Sequence, residues 1–294
     1  MNQKDSSNKV ISLFNKIEDK NNNCKSNARV ISITSGKGGV GKTNIVVNLG
    51  FALSRLGKKV LILDADLGLG NLDILLGIAP KYNFSHVITG EKTISDITIE
   101  VPGKMKIIPA SSGIQELTRL SQEQKIRILT ELDLMIDPVD VLLIDTATGI
   151  SSNVMYFNSA VQEVMVVVSP ELTSITDAYA LMKLLSNKYS VKHFKLLVNM
   201  AKNIQEAQEI FRNLNLVVKK FLDISIQYIG HVSFDENVRK SVKRQKVVSE
   251  LYPDTRASKC FESLAKKICI SRESLLPKGN TNFFWENVLH KKHN

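Results

Sequence analysis

What the chain lacks narrows its chemistry first. Its 294 residues include three cysteines, Cys24, Cys260 and Cys269, with no CxxC pair and no even count. That excludes a disulfide framework and a zinc-ribbon spacing, and free thiols in a reducing compartment are expected. No run approaches the roughly 18 apolar residues that a membrane-spanning helix needs. The opening residues, MNQKDSSNKVISLFNK, lack the apolar core of a secretory signal. The expectation is therefore a cytoplasmic protein whose membrane contact, if it has any, is peripheral. Aromatics make up only 6% of the chain, and its one tryptophan sits near the carboxyl terminus. Acidic residues are in deficit: 29 Asp and Glu face 39 Lys and Arg, for a net charge of +10. The imbalance favours anionic partners without locating a site.

What is present indicates a folded chain with a sizeable core, at 43% hydrophobic residues. Residues 1–27 are rich in Asn, Ser and Lys and read as a flexible tail. Within that tail Val10, Leu13, Phe14 and Ile17 fall on one face of a short helix. Such a helix either packs on its own domain or occupies a partner's groove. From 28 to 270, apolar runs alternate with segments of helical spacing. The runs are RVISIT, KKVLILDAD, MKIIPAS, DVLLIDTA, VMVVVSP, FKLLVNM and IQYIGHV. They show little in–out alternation, as expected of strands covered on both faces. The pattern predicts an α/β fold, a doubly wound and mostly parallel sheet flanked by helices. Residues 271–294 read as a linker followed by FFWENVLHKKHN. There Phe284, Trp285, Val288 and Leu289 fall on one helical stripe with Phe283 beside it, ahead of cations that suit the helix's carboxyl end.

The run SGKGGVGKT, Ser35 to Thr43, sits between a strand pattern and a helix pattern. It matches GxxxxGK[ST], the phosphate-binding loop, in the context that this motif requires. Its glycines let backbone N–H groups approach phosphate oxygens at a helix amino terminus. Gly36, Lys37, Gly38, Gly39, Val40, Gly41, Lys42, Thr43 and Asn44 are accordingly the expected nucleotide contacts. Lys42 would reach the β- and γ-phosphates, and the Thr43 hydroxyl would ligate Mg²⁺. Two later strand patterns end in acids, Asp64 and Asp66 in one and Asp145 in the other. Asp145 occupies the position from which a carboxylate holds Mg²⁺ through water. A carboxylate at the Asp64/Asp66 strand end can orient attacking water or metal-bound water.

The loop's first lysine makes KGGVGKT similar to the deviant phosphate-loop ATPases, which include MinD, ParA and the nitrogenase iron protein. That resemblance implies a homodimer assembled around ATP and Mg²⁺, with Lys37 crossing the interface to stabilise charge in the partner's site, as an arginine finger would. It makes Asp66 the hydrolytic residue and places Asp64 nearer the metal. For the base it points to Asn199 in KLLVNMAK and to the backbone of Val232 to Asp235, where the family's usual proline appears as Ser233. An iron–sulfur reductase would need cysteines near the strand-end loops, where none occurs. The longer stretches GKTNIVVNLGFAL, DADLGLGNLDILLG, TSITDAYAL and FDENVRKSVKRQKVV resemble the FlhG (FleN, YlxH) branch over residues 28–270. DTATGIS stands where that branch usually has DTGAGIS, so Ala147 and Thr148 occupy a nucleotide-sensing segment.

The branch implies a regulator of flagellar number or placement, with an FlhF-type GTPase and flagellar switch-complex proteins as partners. Its N-terminal activating motif, DQAxxLR, has DSSNKVI as the nearest counterpart here. The C-terminal helix fits the branch's membrane-targeting segment for an anionic surface, and a helix folded onto its own domain is the alternative. Arg239, Lys240, Lys243, Arg244 and Lys246 form a basic run that reads either as a solvated helix face or as a DNA contact. The second reading would suit a ParA-like partition ATPase. That ATPase and a MinD-type division-site regulator are the alternative functions.

Overall fold

A computed structural model describes residues 28–67, 70–111, 121, 124, 127–128, 131–132 and 139–271. The amino-terminal stripe of Val10, Leu13, Phe14 and Ile17 and the carboxyl-terminal aromatics Phe283, Phe284 and Trp285 lie outside the described residues, as do Val288, Leu289 and Cys24. Eight strands form one sheet: β1 (Arg29–Thr34), β2 (Val60–Ala65), β3 (Ile99–Val101), β4 (Met105–Ile108), β5 (Val141–Thr146), β6 (Glu163–Val168), β7 (His193–Ala201) and β8 (Ser225–Ser233). Their order is β3-β4-β2-β5-β1-β6-β7-β8. All pairings are parallel except β3–β4. Seven strands coincide with the seven apolar runs. The eighth, β3, is a three-residue edge strand, Ile-Glu-Val, stopped by Pro102 and too short to carry a pattern.

The intervening helices are α1 (Lys42–Arg55), α2 (Leu72–Leu76), α3 (Phe84–Thr89), α4 (Ile94–Ile97), α5 (Ser152–Ala160), α6 (Leu172–Tyr189), α7 (Ile204–Phe221), α8 (Glu236–Lys243), α9 (Val248–Leu251) and α10 (Arg256–Ile270). Every residue of β2, β5 and β6 is buried, which explains their continuous apolar sequences. Alternate side chains of a strand feed two cores. On one face Val30 and Leu142 pack with Phe157 of α5, Leu181 of α6 and Leu214 of α7. On the other, Ile31 and Leu143 pack with Leu49 of α1 and Phe261 of α10. The chain leaves β1 toward β2 on one side of the sheet and later places β6 on the other. This reversal opens a crevice at the carboxyl ends of the central strands, where open α/β sheets take ligands.

Candidate functional site

The loop between β1 and α1 is shaped by two close approaches. Gly41 ends it in the left-handed region (φ 85°), directly before α1. A Cβ at Gly41 would come within 2.5 Å of the Asn199 amide nitrogen. At Gly36 a Cβ would lie 2.3 Å from the backbone of Asp177 in α6, so only glycine lets the loop pass that helix. Gly38 and Gly39, by contrast, face open space. Their side of the loop is free to receive a ligand. The loop is pinned from beneath: the Gly149 N–H donates to the Ser35 carbonyl at 3.0 Å. The Asn199 side chain donates to the Val40 carbonyl at 2.7 Å.

Behind the loop the sheet register sets the acids side by side. Asp64 of β2 pairs in register with Asp145 of β5, which puts both on one face of the pleat. Asp64 is held by backbone N–H groups, from Asp66 to Oδ1 at 3.1 Å and from Leu72 to Oδ2 at 3.3 Å. Burial, and then the neighbouring Asp145, push its carboxyl well above the usual carboxylate range. Burial raises Asp145 to about 6 against the opposing pull of Lys42 and a hydrogen bond with Thr43. Lys42, only 8% exposed, is shifted down by burial, which its attraction to Asp145, Asp66 and Asp64 partly offsets. One oxygen of Asp145, Oδ1, is buried with no hydrogen-bond partner. A buried acceptor without a partner is costly. Next to the Thr43 hydroxyl and the Asp64 carboxyl, such an oxygen fits a hydrated Mg²⁺.

Lys37 lies at the open front of the site. Its Nζ forms an ion pair with Glu171 Oε2 and donates to Thr173 Oγ1 at 2.8 Å. Glu171 precedes α6 and is 64% exposed, and its neighbour Leu172 is 78% exposed. The sequence reading did not single out Glu171 or Thr173. Their contacts with Lys37 span more than 130 residues, and no local pattern announces them.

In the expected base region Asn199 is nearly buried and its Nδ2 is engaged by the loop. Met200 beside it adopts a left-handed backbone (φ 59°), unusual for a side chain of that size. With Pro170, Lys202, Glu206, Phe234 and Arg256, Met200 lines an open cavity of about 420 Å³. Ser233 is turned toward Cys260, with Oγ and Sγ 3.8 Å apart.

Known proteins are similar to this chain in sequence and in fold. Residues 26–269 match the ParA family model, described as NUBPL iron-transfer P-loop NTPase. The antiactivator FleN of Pseudomonas aeruginosa is 44% identical over 261 residues, which are 89% of this chain and 93% of FleN. The flagellum site-determining protein YlxH of Helicobacter pylori is 29% identical over 269 residues, 90% of this chain and 91% of YlxH. Among solved structures, MinD of Pyrococcus horikoshii complexed with Mg-ADP superposes with a TM-score of 0.69 at 22% identity. It covers 82% of this chain and 96% of its own, a likeness of fold. With the phosphate loop, the paired strand-end acids and the forward lysine all in place, the chain belongs to the ParA/MinD family of P-loop NTPases, in the branch that holds FleN.

Proposed function

We propose that the chain is an ATP-dependent dimerising switch that regulates flagellar number or placement and works at the membrane surface as a dimer. The observation that carries this reading is the division of its two loop lysines. Lys42 is buried among Asp64, Asp66 and Asp145, whereas Lys37 waits at the exposed front on Glu171 and Thr173. A lysine serving only its own loop would have no reason to be held forward on a neighbouring helix. A lysine meant for a second copy would.

In this reading the N–H groups of Gly38 to Thr43 cradle the phosphates of ATP, and Lys42 neutralises the β- and γ-oxygens. Thr43 and Asp145 would hold Mg²⁺, with Asp64 beside them; the bound ion supplies charge neutralisation on the phosphate oxygens. Asp66 orients a water whose oxygen bonds to the γ-phosphorus as the bond to the β–γ bridging oxygen breaks, giving ADP and phosphate. Lys37 leaves Glu171 to meet charge in the partner's site. Hydrolysis then resets the dimer.

Partners consistent with the FleN and YlxH relationship are an FlhF-type GTPase and flagellar switch-complex proteins. The carboxyl-terminal aromatics are the proposed contact with anionic lipid. Two weakly binding tails on one dimer gain by effective concentration, which makes dimerisation a membrane switch. The test is co-sedimentation of the full chain, and of a version ending at Asn280, with phosphatidylglycerol vesicles in ATP and in ADP. ATP-dependent binding lost on truncation is expected. Binding to duplex DNA with none to vesicles would overturn the membrane reading in favour of a partition ATPase.

A further inference from the structure

Five cations, Arg239, Lys240, Lys243, Arg244 and Lys246, crowd the second half of α8 and the turn that follows, with no acid between residues 239 and 246; the helix's one acid, Glu236, is in its first turn. All five are exposed, and none forms a salt bridge with a described residue. The helix's carboxyl end favours Lys240 and Lys243 there. It does not account for Arg244 and Lys246 beyond the helix, nor for the way the segment is fastened.

Three side chains fasten this segment, two of them to elements beside the nucleotide site. Before α8, Asp235 accepts from the backbone of Asn237 at 2.9 Å and of Ala257 at 3.2 Å, which anchors the start of α8 to the first turn of α10. After it, the Val248 N–H donates to Asn48 Oδ1 at 3.0 Å, and Asn48 Nδ2 donates to the Asn44 carbonyl at 2.8 Å in the first turn of α1. Asn48 is 1% exposed. Between them, Gln245 adopts a left-handed backbone (φ 54°) and extends its Nε2 to the carbonyl of Ile74 at 2.9 Å. Ile74 belongs to α2, the first helix after Asp66. The basic segment is thus bonded both to the helix that follows the phosphate loop and to the element that follows the hydrolytic acid. A non-glycine residue held in the left-handed region carries strain that these contacts stabilise.

Ile74 itself is 60% exposed and abuts Gln245, between Arg244 and Lys246. The surface therefore combines exposed cations with an aliphatic anchor. We propose that this surface docks an acidic, amphipathic protein segment, and that nucleotide state sets its grip through the Gln245 arm. Charge complementarity selects the acidic character, and Ile74 selects a peptide over nucleic acid because an aliphatic anchor offers phosphates nothing. Phe234, an aromatic beside α8, already has the Arg239 guanidinium over its ring, 5.6 Å from the centroid. Coupling runs both ways: whatever nucleotide does to docking, docking does to nucleotide affinity. Only this nucleotide dependence rests on the proposed function; docking stands without it.

The test titrates the full chain into a fluorescent peptide of leucines flanked by glutamates, with short duplex DNA and phosphatidylglycerol vesicles as parallel arms. Wild type is expected to bind the peptide, and Arg239→Ser/Lys243→Ser/Arg244→Ser to weaken binding at least about tenfold. Ile74→Ser should weaken the peptide several-fold and leave any DNA binding unchanged. Gln245→Gly keeps the left-handed backbone accessible and removes the arm, so it should retain docking and lose the difference between ATP and ADP. Peptide binding that ignores both the charge and the Ile74 substitutions would overturn the docking surface. DNA binding that needs the cations while the peptide fails would overturn its protein partner. An ATP/ADP difference that persists in Gln245→Gly would overturn the wiring. A fluorescent ATP analogue, titrated separately, shows whether nucleotide binds at all, and its failure would count against the proposed function and leave the docking result intact.

Discussion

The sheet carries a buried ionic cluster at each end, and the two are built on opposite terms. At the amino ends of the central strands, Glu163 of β6 accepts two bonds from Arg29, one of them at 2.8 Å, and a third from Lys195 at 2.6 Å. Arg29 also donates to the carbonyls of Ile268 and Ser271, closing the end of α10. Burial alone would raise the Glu163 carboxyl, but hydrogen bonds from these two cations hold it below its ordinary value. At the carboxyl ends, Asp64 and Asp145 face each other with Lys42 as the buried cation, and burial raises both carboxyls. One cluster is complete and works for stability. The other is short of positive charge until a ligand supplies it.

That contrast can be broken from either end. The largest effect is expected from Glu163→Ala, which removes the one carboxylate that Arg29 and Lys195 share: about 3–5 kcal/mol of destabilisation, read by urea denaturation. Asp64→Asn should do the reverse. Replacing one of two crowded buried carboxyls with a neutral amide should stabilise the nucleotide-free chain, by at most about 1–2 kcal/mol where both would otherwise ionise, while weakening Mg²⁺-dependent ATP binding. An Asp64→Asn protein that melts lower and binds MgATP normally would dissolve the distinction between the clusters.

The pH response follows the same division. Asp145 titrates near 6 when folded against about 3.9 unfolded. The stability linked to its protonated form is present below the unfolded value and lost as pH rises through about 6. Glu163, held low, acts oppositely: its contribution is present above about 4.3 and fades only as pH falls through its folded value. From about pH 4 to about pH 6.5 the nucleotide-free chain should therefore lose melting temperature on account of Asp145. MgATP should flatten that slope. The smallest effect belongs to Glu171→Gln. Its exposed pair with Lys37 should change stability by at most about 0.5 kcal/mol. A larger loss would make the pair a structural strut instead of a resting place for Lys37.

Much of this arrangement was legible in the sequence because the relevant signals are local. Gly36, Gly41, Lys42 and Thr43 fall within eight positions, and the runs VLLI and VMVVV are apolar throughout because both faces of the sheet are covered. What escaped depends on distant contacts. Glu171 meets Lys37, Asn48 meets Val248, and Asn199 meets Val40 only after the sheet has formed. Glu163 and Lys195 read as isolated charges in apolar runs, a pattern that becomes intelligible only when Arg29 is brought beside them. The edge strand β3 is too short for periodicity to register.

The central claim is that ATP assembles two copies through the front where Lys37 waits. Light scattering of wild type, Asp66→Ala and Lys42→Ala with MgATP tests it most directly. The account predicts a persistent dimer for Asp66→Ala, a dimer that decays with hydrolysis for wild type, and a monomer for Lys42→Ala. An Asp66→Ala protein that binds MgATP and stays monomeric would contradict it.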